Sequence, residues 1–249
     1  VNVTLLLAAC VTLVLGAVYL YVGRCIGTRE PATAGAKRAM GFFALWWYAV
    51  AANVALGGLV YAAAALGFAS LTVQLTYAHL SRVLLVLSLV GLMYYLLYLV
   101  TGKGRLPLVI AYYAAYYGLL LYMLVASAPD AVQVGNWRTV EVPSRPLPRV
   151  FSAVSSAALL LPPVLGALAA FRVFFVVEDR SQRYRIALVS WSIVVWWLIA
   201  VVAGQREAVG VEWFQMVNRA VSVVAAVGIL FAYLPPTFVR ERWGIKAFA

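Results

Sequence analysis

The chain has 249 residues, of which 65% are hydrophobic and only 11% are charged, and its formal net charge is +11. Soluble domains carry about 25% charged residues, and a single water-soluble core cannot absorb this much apolar surface, so lipid is the expected solvent. The positive charge does not indicate nucleic-acid binding, because no surface stretch combines aromatic with basic residues. It is assigned instead to loops that face anionic lipid headgroups.

Seven apolar segments of membrane-spanning length follow one another along the chain. Glycine and proline separate them, as expected at turns. The first segment is predicted to be a true span, because it is too long for a signal-peptide core and lacks a basic leader. We therefore predict one all-α integral membrane domain over residues 1–249, with seven transmembrane helices at 3–23, 40–66, 70–100, 106–126, 150–177, 186–204 and 213–234.

Lysine and arginine collect in every second connection, and this asymmetry predicts the orientation of the chain. By the positive-inside rule the basic connections lie in the cytoplasm, so the N-terminus is outside and the C-terminus is cytoplasmic. The predicted location is the cell inner (plasma) membrane, crossed several times. This side receives 13 of the 19 cations: Arg24, Arg29, Lys37, Arg38, Lys103, Arg105, Arg172, Arg180, Arg183, Arg185, Arg240, Arg242 and Lys246.

The longest connection, between the fourth and fifth spans, contains two short alternating stretches. Residues 131–134 and 139–142 alternate polar with apolar side chains around Gly135-Asn136, a pattern typical of a β-hairpin. The orientation above makes this hairpin extracellular. It then either covers an outward-facing cavity or serves as a plain compact connector.

Arg219 is the most informative polar residue of the seventh span. Fifteen residues separate it from Pro235, which at about 1.5 Å per residue places it inside a hydrocarbon core about 30 Å thick. Glu212, Gln215 and Arg219 share one helix face, so the stripe is predicted to line the bundle interior or an outer vestibule. The alternative is a structural arginine that reaches outward or pairs with Glu212 or Glu207.

A second polar stripe lies along one face of the third span and comprises Thr72, Thr76, His79 and Arg82. If it meets Gln215 and Arg219, the outer half of the bundle holds a positive pocket for a small anionic or polar ligand, with His79 adding pH sensitivity. Arg219→Ala is then expected to weaken binding more than Arg82→Ala. The alternative places the third-span stripe at the outer interface without a special role.

Two further features leave a structural and a functional interpretation open. Pro162 and Pro163 are expected to kink the fifth span and free backbone carbonyls, as either a hinge or a static bend. The aromatic clusters are expected either to pack and anchor the helices or to line a ligand pocket. They are Trp46 and Trp47, Trp196 and Trp197, and Tyr112, Tyr113, Tyr116 and Tyr117.

Several chemistries lack the residues they need. Lys37, Lys103 and Lys246 are the only lysines, and all are predicted in cytoplasmic loops or the tail, so a retinal pigment is excluded. One histidine and no intramembrane carboxylate argue against a metal centre, a cofactor such as a haem pair, or a proton pump. No nucleophile–base pair is recognisable, so an enzyme is not expected.

The end of the chain reads Phe-Ala-Tyr-Leu-Pro-Pro-Thr-Phe-Val-Arg-Glu-Arg-Trp over residues 231–243. A last span that ends in a Pro-Pro pair and a basic, Trp-containing segment resembles the seven-helix N-terminal sensor modules of bacterial membrane histidine kinases and related signalling proteins. The resemblance implies that the tail leads to a cytoplasmic output domain or partner protein.

These observations together favour a membrane-embedded sensor or receptor module. It would couple an extracellular or intramembrane ligand to a cytoplasmic signalling partner, within the bilayer and with oligomerisation left open. Two alternatives stay open: a carrier or channel for a small, anionic solute, and a structural subunit of a larger membrane complex.

Overall fold

The structure is a computed structural model that describes residues 2–28, 33–68, 70–126, 130–134, 137–141, 148–203 and 211–245. Side chains are described in these ranges except at 124, 130–141, 148–149, 151–152, 173, 196–203 and 211–219. The elements in chain order are α1 Val3–Gly27, α2 Ala34–Ala65, α3 Leu71–Thr101, α4 Leu106–Ala126, β1 Asp130–Val134, β2 Trp137–Glu141, α5 Pro148–Val176, α6 Arg180–Ala203, α7 Val211–Tyr233 and α8 Thr237–Trp243.

Short polar residues fix where several helices begin. The side chains of Asn2, Thr33 and Ser70 each accept a hydrogen bond from a backbone N–H three residues later, at 3.2 Å. At the start of α6, Asp179 accepts a hydrogen bond of 3.1 Å from the N–H of Ser181, two residues later. Each bond satisfies one of the backbone donors that the first turn of a helix leaves without a partner.

Five helices, α1 to α5, are long and apolar enough to cross a membrane, judged on the described residues. The last part of α7, Ala220–Tyr233, continues into α8 through a bend of 55°, and the count becomes six if this pair is one span. The chain is thus a multi-pass helical membrane protein, as its composition predicted. The number of crossings, seven, stays a prediction.

The long helices form a closed ring in the order α1, α2, α3, α5, α6, α7, and α4 packs outside it against α3 and α5. At one end of this bundle α1, α3, α5 and α7 finish and α2, α4 and α6 begin. Arg172 at the end of α5 donates a hydrogen bond to the carbonyl of Val100 near the end of α3, which ties these termini together. We call this the basic end, because eleven of the described lysines and arginines lie there.

The centre of the ring is filled by aromatic side chains close to the basic end. The Phe43 ring stacks on Tyr95 with centroids 4.2 Å apart and on Trp46 at 5.4 Å, while Tyr19 meets Trp47 edge-on at 5.3 Å. All five residues are buried. The packing role expected for Trp46 and Trp47 is confirmed; the side chains of Trp196 and Trp197 lie outside the described residues.

Close helix contacts in this core depend on glycine. A Cβ atom at Gly91 of α3 would stand 2.6 Å from the carbonyl oxygen of Phe42 in α2, and one at Gly228 of α7 would stand 2.8 Å from the Ser192 hydroxyl in α6. Helices in lipid associate through van der Waals packing, which small residues at the interface allow. Gly91 and Gly228 therefore set the spacing of α2 from α3 and of α6 from α7.

The connection between α4 and α5 contains the strands β1 and β2, which pair antiparallel with Asp130 opposite Glu141 and Val134 opposite Trp137. Relative to the predicted stretches, both strands begin earlier by one or two residues and β2 ends at Glu141. Strand β2 contacts α3. The extracellular position of this hairpin and its role as a cover stay predictions.

Candidate functional site

Two residues of the third-span stripe, His79 and Arg82, lie close to α4. His79 is half-buried and its ring lies 6.5 Å from that of Tyr117, whereas Thr76 is exposed. Arg82 is half-buried as well, and its Nη1 atom is buried without a hydrogen-bond partner among the described residues. His79 and Arg82 are thus close to the tyrosines of α4, while Thr76 is not enclosed with them.

The seventh-span stripe belongs to the first half of α7. The side chains of Glu212, Gln215 and Arg219 lie outside the described residues. Helix α7 packs chiefly against α1 and α6, whereas α3 packs against α2, α4 and α5. The meeting of the two stripes in one outward pocket stays a prediction.

The proline pair has a partner that the sequence did not reveal. Helix α5 continues through Pro162 and Pro163 as one element of 29 residues. Since Pro162 has no N–H, the carbonyl of Ala158 loses its helical donor. The Tyr113 hydroxyl of α4 donates a hydrogen bond of 3.2 Å to this carbonyl. The freed carbonyl predicted from the proline pair is present, and it attaches α4 to α5.

One cavity, which we call the first cavity, lies inside the helix ring, near the basic end. Its volume is about 340 Å³. Most of its wall is apolar or small, and α2, α3, α5, α6 and α7 all contribute to it: Met40, Tyr95, Leu96, Leu99, Gly166, Ala169, Ala170, Ile186, Val189, Ile193 and Tyr233.

Three polar side chains of α6 complete this cavity: Gln182, Arg185 and Ser190. Arg185 is half-buried, not exposed like a loop residue. From the sequence, Arg185 was predicted only as a loop cation, because the span was predicted to start at residue 186. The spacing of Gln182, Arg185 and Val189 along one helix face was the signal that could have found this wall.

A second cavity of about 390 Å³ lies on the other side of the first turns of α6, between α5, α6 and α8. Three arginines line it, Arg180, Arg183 and Arg242, together with Phe174, Tyr184, Ala187, Trp243 and Ile245. Arg183 is held by its Nε, which donates to the carbonyl of Val177, and its guanidinium carbon lies 5.9 Å from the centre of the Phe174 ring.

Both cavities touch the segment that leaves the bundle. Tyr233, the last residue of α7, belongs to the wall of the first cavity, and α8 begins four residues later, at Thr237. Trp243 of α8 meets Tyr184 of α6 edge-on with ring centroids 6.4 Å apart, and Val239 and Ile245 are buried. We call residues 234–236 the elbow. This short stretch of backbone connects Tyr233, in the wall of the first cavity, to α8, which lines the second cavity.

Among the described residues no group of three or more His, Cys, Asp or Glu side chains is placed to hold a metal ion. No protein-family model matches the chain, and comparisons with curated proteins and with solved structures find no match either.

Proposed function

We propose that the protein is a seven-span membrane sensor module, which binds a ligand in the first cavity and transmits its occupancy to a cytoplasmic partner through α8. The observation that carries this proposal is the position of Tyr233. It is at once part of the cavity wall and the last residue before the elbow, so a change in the wall has a short path to the tail.

The orientation in this proposal follows from the distribution of charge. The basic end is placed at the cytoplasmic face of the inner (plasma) membrane by the positive-inside rule, with α8 emerging there and the hairpin on the exterior. Cysteines introduced at Asn136, between β1 and β2 in sequence, and at Lys103, in the α3–α4 loop, should react with an impermeant thiol reagent from opposite sides. Equal labelling of both from outside the cell would contradict the seven-span topology.

The chemistry of the first cavity suggests an amphiphilic ligand. Ligand cavities typically have volumes of about 300–1,000 Å³ and apolar walls with a few polar groups, and about 340 Å³ with Gln182, Arg185 and Ser190 fits this description. An apolar body would occupy the space against Leu96 and Ile193. The guanidinium of Arg185 favours a ligand with an anionic or hydrogen-bonding head.

Coupling to the tail rests on the contacts of α8. A ligand that displaces Tyr233 shifts the start of the elbow. Because Trp243 packs on Tyr184, and Val239 and Ile245 are buried, α8 follows the position of α6 as a packed element. A ligand changes this arrangement only by as much as it prefers one conformation over the other.

Decanoate, a medium-chain carboxylate, is a suitable probe of the proposed cavity. Saturable binding to the purified protein in nanodiscs should raise its melting temperature, because a ligand of the folded state stabilises it by about 2.7 kcal/mol at a hundred times its Kd. Ala170→Phe, which fills the cavity, and Arg185→Gln, which removes its charge, should both weaken this stabilisation.

The matched control is Ala167→Phe, the same substitution on the exposed face of α5. It should leave decanoate binding unchanged. Stabilisation by decanoate that is equal in all three variants would show that the probe acts through the lipid phase and would remove the ligand site from the proposal.

A carrier for a small solute is the second candidate, because the first cavity lies inside the helix ring, lined by α2, α3, α5, α6 and α7. A carrier has to open its opposite end when the basic end closes. Spin labels at Leu66→Cys, after α2, and Val150→Cys, near the start of α5, would then separate by several ångström when the probe binds. A sensor requires no such opening.

A further inference from the structure

We propose that the second cavity is a binding site for the headgroup of an anionic phospholipid, whose phosphate is held by Arg180, Arg183 and Arg242. This site is distinct from the first cavity, and its existence does not depend on the signalling function.

The charge of the cavity is the first argument. Its eight lining residues include three arginines and no carboxylate. Three guanidinium groups around one space repel each other, and the repulsion is relieved when an anion enters. Of the acidic residues nearby in sequence, Asp179 already accepts a hydrogen bond from the backbone of Ser181 at the start of α6.

The geometry of the arginines suits a phosphate. Arginine presents several donors in a planar fork and binds phosphate oxygens through paired hydrogen bonds. The Nε of Arg183 is bonded to the carbonyl of Val177 and its guanidinium lies near the Phe174 ring, so its direction is fixed before any ligand arrives. Arg180 and Arg242 are exposed and can close on the ligand from α6 and α8.

The surroundings favour a lipid over a free phosphate. The last turns of α5 expose Phe171, Phe175 and Val176, which are 68%, 68% and 74% accessible. These side chains adjoin Phe174 and provide an apolar track for an acyl chain. Trp243, also exposed, carries an amphipathic ring of the kind enriched at the headgroup level. Basic pockets between membrane helices are a known type of headgroup site.

A bound headgroup would connect α8 to α6. Arg180 and Arg183 belong to α6 and Arg242 belongs to α8, so one phosphate bridging them adds a link beside the contact of Trp243 with Tyr184. The lipid would thereby hold the tail against the bundle.

Native mass spectrometry of the full chain, released from detergent with dioleoyl-phosphatidylglycerol or dioleoyl-phosphatidylcholine, tests the site. The protein should retain one phosphatidylglycerol molecule in preference to phosphatidylcholine. Arg180→Gln and Arg242→Gln should each lower this preference about five-fold, the effect of about one arginine near an anionic lipid surface. Arg242→Lys should keep part of it, because lysine retains the charge but not the planar fork.

The matched control is Arg24→Gln, which removes an exposed arginine at the same end of the bundle, from the last turn of α1. It should leave the preference unchanged. An equal loss in this control, or no loss in Arg180→Gln and Arg242→Gln, would overturn the proposal. Displacement of the lipid by millimolar inorganic phosphate would identify a site for a free anion and overturn the lipid assignment.

Discussion

Helices α2 and α5 occupy the same ring but are buried to very different degrees. In the most apolar 18-residue stretch of each helix, 61% of the α2 residues are buried inside the protein, against 18% of the α5 residues. Helix α2 packs between α1 and α3 and contributes Phe43, Trp46 and Trp47 to the aromatic core. Helix α5 turns most of its surface, including Phe171 and Phe175, outward.

The difference separates a close-packed side of the bundle, which we call the frame, from the side that carries the candidate site. Where α1, α2 and α3 meet, aromatic rings and close glycine contacts fill the interior. Where α5 and α6 meet, the packing leaves one cavity inside the ring and another beneath α8. Close-packed cores respond to a change in volume as a unit, so we propose that a ligand alters the side that carries the cavities and leaves the close-packed side unchanged.

The largest contrast is expected from the same truncation on each side. Phe43→Ala removes a fully buried ring of the core, whereas Phe171→Ala removes a ring that is 68% accessible. We expect Phe43→Ala to lower the free energy of unfolding by about 3 kcal/mol. This value is at the low end of the range for a buried Phe→Ala substitution, because moving the ring from the protein core into lipid costs little. Phe171→Ala should cost less than about 0.5 kcal/mol. Unfolding in mixed micelles measures both free energies. Similar values for the two substitutions would contradict the difference between the close-packed side of the bundle and the side with the cavities.

A pair of glycine substitutions tests the same comparison, and its expected effect on stability is of intermediate size. Gly91→Ala places a methyl group 2.6 Å from a backbone oxygen of α2, while the same change at Gly118 of α4 meets open space. We expect Gly91→Ala to destabilise the protein by about 2 kcal/mol through overpacking. Gly118→Ala should be neutral or stabilising by up to about 1 kcal/mol, because alanine is the better helix former. Thermal unfolding that ranks the two in reverse would contradict the assignment of α2–α3 as the tight interface.

The smallest effect concerns the attachment of α4 to α5. Tyr113→Phe deletes the hydroxyl that donates to the Ala158 carbonyl freed by Pro162. We expect a loss of about 1 kcal/mol, within the range measured for hydrogen bonds between membrane helices. Tyr122→Phe on the exposed side of α4 serves as the control and should change nothing. A Tyr113→Phe protein as stable as the wild type would show that the proline pair needs no donor from α4.

Hydropathy predicted the helical membrane class, and each predicted span overlaps a helix of the described residues, but hydropathy missed where two of these helices begin. Helix α6 starts at Arg180 and α2 at Ala34, each six residues before the predicted span. In both cases a polar cap, Asp179 or Thr33, starts the helix outside the apolar stretch. An apolar run marks the part of a helix within the hydrocarbon, whereas the helix itself continues through the headgroup region.

The site was harder to foresee than the fold. Polar residues in apolar spans directed attention to His79, Arg82 and Arg219, whereas both cavities lie at the basic end and use arginines that the positive-inside rule already explained. Whether Arg185 faces solvent or a cavity depends on which helices surround α6, and a single sequence does not contain that neighbourhood. The link from Tyr233 to α8 likewise appears only once the ring is assembled.

The central claim, that the cavity side moves the tail while the frame stays in place, is tested most directly by distances between spin labels. In a Cys10→Ala, Cys25→Ala background, one label pair joins Arg240→Cys on α8 with Lys103→Cys after α3, and a second joins Arg24→Cys on α1 with Lys103→Cys. Filling the first cavity with Ala170→Phe should shift the α8 distance by about 2 Å, the size of a typical helix displacement, and leave the α1 distance unchanged. Ala167→Phe should shift neither. An α8 distance that is unmoved by Ala170→Phe, or that moves equally with Ala167→Phe, would contradict the account.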